Sequence, residues 1–517
     1  MPPLGGVQKT PQRGKRKRWV FSPHSSINPQ SYMNDPQSPN PNQGISRRRF
    51  HKSAGLAAAS AFGFQFVPSH VWGINERPAL AGIGTGGKGE SDINNSASAG
   101  FQVVGLVDVI DAKRIPELKG MPRMQGLAKQ RDTYPDAKFY ADWREMLHDL
   151  GDKVDAVTIS TPDHHHAHAA AAAMRAGKHV YCQKPLTHGI WEARFLADLA
   201  KKTGVKTQMG NQAHANDHMR RCIELVRAGV IGRVKEVHAW TNRPIWPQGF
   251  QTTPPPEPVP EWLDWEQWIG PAPFVEYSPK IAPFNWRGWW NFGTGALGDM
   301  ACHIMDMPYW GLGLSAPLAI TGKQQGGSEW SAPINSTLTY EFAANEYSVP
   351  EGIKYFWYDG QIGAEFKQDT WSLKPGEFNR PQEVLSGMDH TEAKGYDCVI
   401  IGEKAQLFFN RSKDTWVIRP GAAVDGFTAW PEKTLPRARN QNPHDEWFDA
   451  VTGKIGQAES NFTQAGPFTE TVLLGCIAQK VPDTRLEWDP VNLEIKDRPD
   501  LKPMIKRDYR PGWELSA

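Results

Sequence analysis

The stretch Arg77-Pro-Ala-Leu-Ala-Gly-Ile83, followed directly by Gly84-Thr-Gly-Gly-Lys-Gly89, decides the fold of this chain. The apolar run predicts a buried strand, and the glycines after it predict a tight turn into a helix. A second apolar run begins at Phe101 and ends in a carboxylate at Asp108, about 20 residues beyond the glycines. This order of strand, glycine-rich turn and strand ending in an acid predicts a dinucleotide-binding fold.

Each part of this pattern has a physical role toward a dinucleotide. Four glycines are expected to let the backbone approach a pyrophosphate, whose charge lies at the amino terminus of the next helix: Gly84, Gly86, Gly87 and Gly89. Asp108 is expected to accept hydrogen bonds from the adenosine ribose and to repel a 2′-phosphate. These features favour NAD as the cofactor, and the positive charge of Lys88 keeps NADP as the alternative.

Two registers of the G-x-G-x-x-G pattern fit this turn. The register that starts at Gly84 is preferred over the one that starts at Gly82, because it lets the strand continue through Ile83. One feature opposes the interpretation. Residues 90–100 are rich in Asn and Ser, so they predict a poor helix where the fold needs one.

Strands and helices continue to alternate after this turn. Apolar runs at 154–160, 179–182 and 205–209 are separated by helical stretches at 164–176 and 187–203. That spacing predicts a doubly wound parallel sheet, in which ligands bind at the carboxyl ends of the strands. Three residues follow these strands and are predicted to line the cofactor site: Thr161, Pro162 and Lys184.

The rest of the chain has a different pattern. Runs at 336–342, 352–358 and 398–409 are rich in β-forming residues, and the turns between them predict a mostly antiparallel open sheet. We therefore expect an α/β protein with two domains. An N-terminal Rossmann domain with a doubly wound parallel sheet covers 74–211, and a C-terminal α+β domain for substrate binding and oligomerisation covers 212–517.

The amino-terminal residues predict a targeting segment. Residues 1–45 are rich in Pro, Asn, Ser and Gln and predict a disordered leader. Residues 46–73 begin with Ser46-Arg-Arg-Arg-Phe-His-Lys52 and continue with small, weakly apolar residues, which resembles a twin-arginine export signal. The apolar stretch is shorter than the about 20 residues of a membrane-spanning helix. We expect an exported, periplasmic protein without an integral membrane domain, or a membrane-associated one if the signal is not cleaved.

The composition narrows the classes of function. The 517 residues include 58 Lys and Arg against 56 Asp and Glu, a net charge of +2, so nucleic acid is not expected as a partner. Five cysteines lack the spacing of a zinc site or a disulfide framework. Nine of the 21 tryptophans lie between Trp240 and Trp310, with Arg243 and Arg287. This cluster fits a saccharide cleft, and equally core packing or a subunit interface.

Residues that can carry chemistry occur at two places in the chain. Lys184 directly follows a buried strand, where a lysine beside a nicotinamide can hydrogen-bond a substrate oxygen. Asp299 and His303 follow a glycine-rich turn at a spacing that puts both on one face of a helix. A histidine near a carboxylate is a competent general base near neutral pH. Lys184, Asp299 and His303 are therefore candidates for catalysis, beside the alternatives of an ordinary surface lysine and a pair of helix-surface residues.

Weaker candidates surround these three. The histidines at 164, 165, 166 and 168 cannot all face one ion on a helix, so no metal is predicted. One of them, His166, is predicted to line the nicotinamide pocket. Three further residues are predicted substrate contacts: Asn211, His214 and Arg287.

Together these motifs resemble the Gfo/Idh/MocA oxidoreductase family, the glucose–fructose oxidoreductase and inositol dehydrogenase group. The matching stretches, in the family's order, are Gly84 to Gly89, Thr161-Pro-Asp-His-His-His-Ala167, Lys184-Pro185 and Gly295-Ala-Leu-Gly-Asp-Met-Ala-Cys-His-Ile-Met-Asp306. The tail segments Leu486-Glu-Trp-Asp-Pro490 and Tyr509-Arg-Pro-Gly-Trp-Glu-Leu515 resemble an exported subgroup.

The resemblance implies that Lys184, Asp299 and His303 form the catalytic constellation and that the open sheet forms a homo-oligomer interface. It also marks one departure. Gln183 stands where the family more often has Glu, so no carboxylate from that position tunes the lysine.

The resemblance and the residues together predict hydride transfer between NAD(P) and a secondary alcohol of a sugar, a cyclitol or a derivative. His303 would take the hydroxyl proton, Lys184 would stabilise the developing negative charge, and Asp299 would orient the substrate or the histidine. Two alternatives stay open. One is a glycosidase that uses bound NAD for transient oxidation and elimination, and the other is a non-enzymatic nucleotide- or sugar-binding protein.

Overall fold

A computed structural model describes residues 77–110, 125–386, 388, 395–411, 413, 415–421 and 431–515. The predicted leader over 1–45 and the predicted signal over 46–73 lie outside the described residues. All described residues belong to one compact unit.

The first part of the described chain forms a parallel sheet with helices between its strands. Its strand order is β3-β2-β1-β4-β5-β6, and every adjacent pair is parallel. The strands are β1 (Ala79–Ile83), β2 (Gln102–Val107), β3 (Lys138–Tyr140), β4 (Ala156–Ile159), β5 (His179–Cys182) and β6 (Thr207–Met209). The helices are α1 (Lys88–Ala99), α2 (Gln125–Thr133), α3 (Trp143–Leu150), α4 (His166–Arg175) and α5 (Ile190–Thr203). This confirms the predicted doubly wound sheet, whose strand order reverses between β1 and β4.

Helix α1 forms although its sequence predicts a poor helix. Its buried face carries Ile93 together with the polar residues Asp92 and Ser96, all of them fully buried. A Cβ at Gly82 of β1 would lie 2.3 Å from the Ile93 side chain, so the glycine lets the helix lie directly on the strand. Packing of this buried face, which also includes Ala99, thus outweighs the weak helix propensity of the Asn and Ser residues.

The second part is built on a large mixed sheet. Its order is β16-β15-β14-β7-β10-β9-β8-β17-β18, with β13 paired to β10, and only β7 and β10 are parallel. Strands β11 and β12 form a separate antiparallel pair. The strands are β7 (Val234–Thr241), β8 (Ala319–Gln325), β9 (Asn335–Phe342), β10 (Ile353–Ile362), β11 (Glu365–Lys367), β12 (Ser372–Lys374), β13 (Glu377–Phe378), β14 (Cys398–Gly402), β15 (Gln406–Asn410), β16 (Thr415–Arg419), β17 (Arg485–Asp489) and β18 (Glu494–Ile495). The predicted, mostly antiparallel sheet is confirmed.

The helices of this second part are distributed around that sheet. They are α6 (Asp217–Arg227), α7 (Trp265–Ile269), α8 (Gly295–Ile304), α9 (Asp306–Gly311), α10 (Pro443–Val451), α11 (Phe462–Lys480) and α12 (Lys502–Ile505). Within the ranges given above, none of the helices is long and apolar enough to cross a bilayer.

The two predicted domains are not separate along the chain. Helix α10 comes late in the sequence but packs on the Rossmann sheet, where Trp447 is fully buried against Phe101 at 4.7 Å between ring centroids. Trp447 belongs to one apolar cluster with Leu80 and Tyr181 of the parallel strands. Helix α10, which lies within the segment 212–517 of the predicted second domain, therefore covers part of one face of the Rossmann sheet.

Candidate active site

A cleft of about 760 Å³ opens where the carboxyl ends of β1, β2, β4 and β5 meet. Such a volume is typical of small-molecule and cofactor sites. Residues after the strands line one side, among them Gly84, Asp108, Thr161 and Pro162. Helix α8 and the turn before it line the opposite side. The cleft therefore brings the predicted cofactor residues and the predicted catalytic residues together.

The glycine turn has the steric properties that a pyrophosphate requires. Gly84 has a φ of 79°, and a Cβ there would lie 2.8 Å from the backbone of Ser160. A Cβ at Gly89 would lie 1.8 Å from the Gly84 carbonyl oxygen, whereas nothing lies within 4 Å of a Cβ at Gly86. Gly84 thus makes the tight turn, Gly86 leaves room for the pyrophosphate, and Gly89 lets the helix pack closely on the strand. These three roles fit the register that starts at Gly84. Gly87 precedes α1 and provides no side-chain cap, so the first helical N–H groups can face a phosphate.

Asp108 is fixed at the tip of β2. Its Oδ2 accepts hydrogen bonds from the backbone N–H of Thr85 (2.9 Å) and from the Thr85 hydroxyl (3.0 Å). Burial raises the pKa of this carboxyl, and the bonds from Thr85 oppose that effect. The group lines the cleft, where a carboxylate can accept from ribose hydroxyls.

Lys88, whose positive charge left NADP as an alternative cofactor, is hydrogen-bonded within its own helix. Its ammonium donates to the Ser91 hydroxyl (2.9 Å) and to the buried carboxylate of Asp92. The positive charge of Lys88, which could attract a 2′-phosphate, is therefore neutralised by Asp92. This arrangement removes the main sequence argument for NADP.

The predicted catalytic lysine and aspartate form an ion pair across the cleft. Lys184 Nζ lies 2.6 Å from Asp299 Oδ1 and 3.1 Å from the Asp299 carbonyl oxygen, and both side chains are almost buried. Arg287 Nε lies 3.4 Å from the same carboxylate oxygen. Burial alone would raise the pKa of Asp299, but the charges of Lys184 and Arg287 hold it well below its usual range. Two of the three ammonium hydrogens of Lys184 thus have protein acceptors, and one remains for a ligand.

His303 lies one helical turn after Asp299 and also lines the cleft. Its ring nitrogens make no hydrogen bond to any residue in the described part of the chain. Burial lowers its pKa well below the ordinary value, and the charges of Lys184 and Arg411 add to the effect. The imidazole is therefore neutral near pH 7 and able to accept a proton. Asp299 bonds to Lys184 and makes no hydrogen bond to His303, so the contacts of the described residues place it as a partner of the lysine.

Gln183 does not deprive Lys184 of an anionic partner. Its side-chain amide turns away from the lysine and donates to Asp92 Oδ2 (2.9 Å). The same buried carboxylate accepts from the Ser160 hydroxyl (2.8 Å) and contacts His444 Nε2 (3.2 Å). Asp92 and His444 thus hold the strand ends under the cleft, while Asp299 supplies the carboxylate that pairs with Lys184.

Three predicted ligand contacts lie outside the residues that line the cleft. His166 bridges the carbonyl oxygens of Thr161 (2.9 Å) and Pro185 (2.8 Å), so it braces two strand-end loops. Asn211 Oδ1 accepts from the Ser460 hydroxyl (2.7 Å). His214 Nδ1 lies 2.9 Å from Asp306 Oδ2, and its ring stacks on Trp310 at 4.1 Å between centroids. These three side chains therefore bond to other parts of the protein and do not line the cleft.

The other histidines of the cluster are bound to backbone carbonyls. His164 and His165 each place Nε2 within 3.0 Å of the Trp268 carbonyl oxygen, and His168 Nε2 lies 2.8 Å from that of Trp513. Burial lowers the pKa of all three. No group of three metal-ligating side chains is found in the described residues. His165 also lines the cleft.

Two further charged residues of the site, Asp163 and Arg411, were not predicted as site residues. Asp163 follows Thr161 and Pro162; it accepts from the Thr294 hydroxyl (2.8 Å) and from Arg287 (3.3 Å). The position of Asp163 shortly after strand β4 was the sequence feature that could have indicated its role. Arg411 lines the cleft from the second sheet, and no local pattern marks it.

The tryptophan cluster divides between cleft and core. Six of its members are buried, and one of them, Trp268, also lines the cleft: Trp240, Trp246, Trp265, Trp268, Trp289 and Trp290. Three line the cleft: Trp262, Trp268 and Trp286. The guanidinium of Arg287, which pairs with Asp299, lies 4.2 Å from the centroid of the Trp286 ring and 5.6 Å from that of Trp246.

The fold and the cleft define a dinucleotide-binding protein. Residues 79–211 match the NAD-binding Rossmann domain of the Gfo/Idh/MocA oxidoreductase family, and residues 219–330 match its C-terminal α/β domain. The chain thus matches both domains of this family, in the family's order, and the cofactor of the Rossmann domain is NAD.

Individual relatives are more distant. A levoglucosan dehydrogenase of Pseudarthrobacter phenanthrenivorans is 26% identical over 32% of this chain and 35% of that protein. A glycosyl hydrolase family 109 protein of Solibacter usitatus is 30% identical over 39% of this chain and 46% of that protein. The chain thus matches about a third to a half of the length of these curated relatives. The crystal structure of the WlbA dehydrogenase of Bordetella pertussis, in complex with NADH and UDP-GlcNAcA, shares the fold with a TM-score of 0.51 and 14% identity, over 80% of this chain and 99% of that one.

Proposed function

We propose that the protein transfers hydride between NAD and a secondary alcohol of a sugar, a cyclitol or a derivative. The observation that carries this proposal is the Lys184–Asp299 pair beside an unbonded, neutral His303, in the same cleft as the glycine turn. A proton acceptor and a fixed cation therefore lie together next to the NAD site, as oxidation of an alcohol requires.

The side chains divide the work between them. NAD, when bound, supplies the acceptor for the hydride that leaves the alcohol carbon. His303 takes the hydroxyl proton onto its ring nitrogen. Lys184 donates its remaining N–H to the substrate oxygen and stabilises the negative charge that develops there. Asp299 and, through it, Arg287 hold the ammonium in place, which keeps the donor oriented before the substrate arrives.

The cofactor residues fit NAD in the same cleft. The turn at Gly84, Gly86, Gly87 and Gly89 would hold the pyrophosphate, with the first N–H groups of α1 directed at its charge. Asp108 would accept from the adenosine ribose. Thr161 and Pro162 line the cleft between these groups and Lys184.

A second candidate is a glycosidase that oxidises its substrate transiently and releases the glycoside by elimination. The glycosyl hydrolase family 109 relative supports it, and the cleft residues suit both reactions because each begins with removal of hydride and proton. The two differ in net redox change. A dehydrogenase accumulates reduced nicotinamide, whereas this type of glycosidase returns the hydride in every cycle.

The test combines two assays on one preparation. A panel of sugars, cyclitols and nitrophenyl glycosides is offered to the NAD-loaded protein, and reduced nicotinamide is followed by its near-ultraviolet absorbance while released nitrophenol is followed separately. Stoichiometric reduction supports the dehydrogenase, and glycoside release without net reduction supports the glycosidase. If every compound that binds is left unchanged in both assays, the protein is the non-enzymatic binder and the proposal fails.

We further propose that the protein is exported through a twin-arginine signal and that it forms a homo-oligomer. The support for export is the Ser46-Arg-Arg-Arg-Phe-His-Lys52 motif before a short apolar stretch. Replacement of Arg47 and Arg48 by Lys in a reporter fusion should abolish periplasmic delivery, and unchanged delivery would refute the signal. Light scattering on the purified protein tests the oligomer, and a monomeric mass would refute it.

A further inference from the structure

The catalytic end of the cleft contains one cation without an anionic partner among the described residues. Arg243 lies two residues beyond β7 and lines the cleft, and its guanidinium makes no ion pair or hydrogen bond with any of these residues. The other cations of the cleft are each tied to an acid: Lys88 to Asp92, Lys184 to Asp299, Arg287 to Asp163 and Asp299, and Arg411 to Asp397. Arg243 is the exception.

The second sheet places Arg243 and Arg411 at the same end. Strands β7 and β15 both pair antiparallel with β14, so their carboxyl ends lie together. Arg243 follows β7 and Arg411 directly follows β15. The two strand ends are linked, because the Trp240 N–H donates to the Asp397 carbonyl (2.9 Å) and the Asp397 carboxylate accepts from Arg411 (2.7 Å). Two guanidinium groups therefore reach the cleft from neighbouring parts of one sheet edge.

The acids at this end do not offset Arg243. Asp163 and Asp299 line the cleft, but both already bond to Arg287, and Asp299 also bonds to Lys184. The field here is thus positive, and it acts in a recess where charges are only partly solvated. A partly desolvated guanidinium is favoured when an anion pairs with it.

We propose that Arg243, assisted by Arg411, binds an anionic substituent of the sugar, a carboxylate or a phosphate, so that the preferred substrates are acidic sugars. This inference rests on the proposed function for the identity of the ligand as a sugar. The planar guanidinium has the donor geometry to bind either anion through two parallel hydrogen bonds. The catalytic residues then act on a hydroxyl of a ring that is anchored by its charged group.

The test measures binding separately from turnover. NAD-loaded protein is titrated by calorimetry with glucose, glucuronate and glucose 6-phosphate, which share a ring and differ in charge. Arg243→Gln removes the cation. Arg243→Lys keeps the charge but cannot form the two parallel hydrogen bonds of a guanidinium. Arg233→Gln is the matched control, because Arg233 lies at the amino end of β7 and pairs with Glu403 away from the cleft.

We expect at least one acidic sugar to bind about tenfold to a hundredfold more tightly than glucose, with Arg243→Gln losing most of that factor. Arg243→Lys should recover part of it, and Arg233→Gln should retain it all. Glucuronate and glucose 6-phosphate together distinguish a carboxylate from a phosphate.

Several results would overturn the proposal. These are equal binding of glucose and both acidic sugars, absence of acidic-sugar binding, or a preference that survives in Arg243→Gln. Loss of NAD affinity in Arg243→Gln, with the sugar preference intact, would assign Arg243 to a cofactor phosphate instead. Failure of the proposed function has a different signature, because a bound acidic sugar would then leave the nicotinamide unreduced and the glycosides uncleaved.

Discussion

Replacement of Lys184 by Met removes the charge from the Lys184–Asp299 pair while keeping most of the side-chain volume. The ammonium is the donor that we assign to the substrate oxygen, and it acts in a cleft where the pair is almost buried. Loss of one such preorganised donor costs about 100-fold to 1000-fold in kcat, or roughly 2.7–4 kcal/mol of transition-state stabilisation. NAD affinity should change little, because the glycine turn and Asp108 carry cofactor binding in this account.

Lys184→Met should lower the free energy of unfolding by less than the usual loss of one partner from a buried ion pair. Removing one partner of such a pair typically costs about 3–5 kcal/mol, because an uncompensated charge stays behind. Here Asp299 keeps Arg287 Nε at 3.4 Å, so the variant should unfold at only a slightly lower temperature. A folded, NAD-binding protein with low kcat is therefore expected.

The assay is steady-state kcat with a sugar identified from the panel, alongside the NAD dissociation constant and a thermal unfolding curve. Lys178→Met is the matched control. Lys178 precedes the same strand, β5, at its amino end, where its Nζ lies 4.0 Å from Asp152 and outside the cleft. Its kcat should equal that of the wild type. If Lys184→Met kept kcat within about threefold of the wild type, the role of Lys184 would be refuted.

Three further predictions concern other parts of the cleft. Burial and nearby cations hold the pKa of His303 in the free protein well below 6.5, so the base loses its proton-accepting form only in acid. The acidic limb of the kcat/KM–pH profile should therefore lie below pH 6.5, and a midpoint above that value would contradict the assignment. Gly86→Val should fold but bind NAD at least about tenfold more weakly, because its side chain would occupy the space in which the pyrophosphate approaches. Gly89→Ala should instead lower the unfolding temperature, because its Cβ would collide with the backbone of Gly84. Nucleotide titration measures the first effect and calorimetry the second. Asp108→Asn should narrow the preference for NAD over NADP by about tenfold, measured as the ratio of dissociation constants, and an unchanged ratio would remove Asp108 from the ribose site.

Local patterns predicted the parts of the fold that local physics determines. The strand before Gly84, the acid at the end of β2 and the alternation up to β6 follow from apolar runs and glycines, which act over a few neighbouring residues. The convergence of Lys184 with α8 was also predictable, because ligand sites of such sheets lie at the carboxyl ends of the strands.

Contacts between distant residues explain what the sequence did not predict. Helix α1 was underestimated because its stability comes from Ile93 packing on Gly82, which helix propensity does not describe. Asp299 pairs with Lys184, and Gln183 bonds to Asp92. Both pairings depend on side-chain directions that are fixed only in the folded cleft. Arg411 reaches the site through strand pairing in the second sheet, so no motif near it in the chain could have indicated its position.

The most direct test of the account is a single-turnover experiment with a deuterated sugar. NAD-loaded protein is mixed with a bound sugar that carries deuterium on the alcohol carbon, and the nicotinamide is followed by absorbance and then analysed for deuterium. The account predicts reduction of the nicotinamide, deuterium on its ring, and loss of both signals in Lys184→Met but not in Lys178→Met. A sugar that binds in the cleft without any transient reduction of the nicotinamide would contradict it.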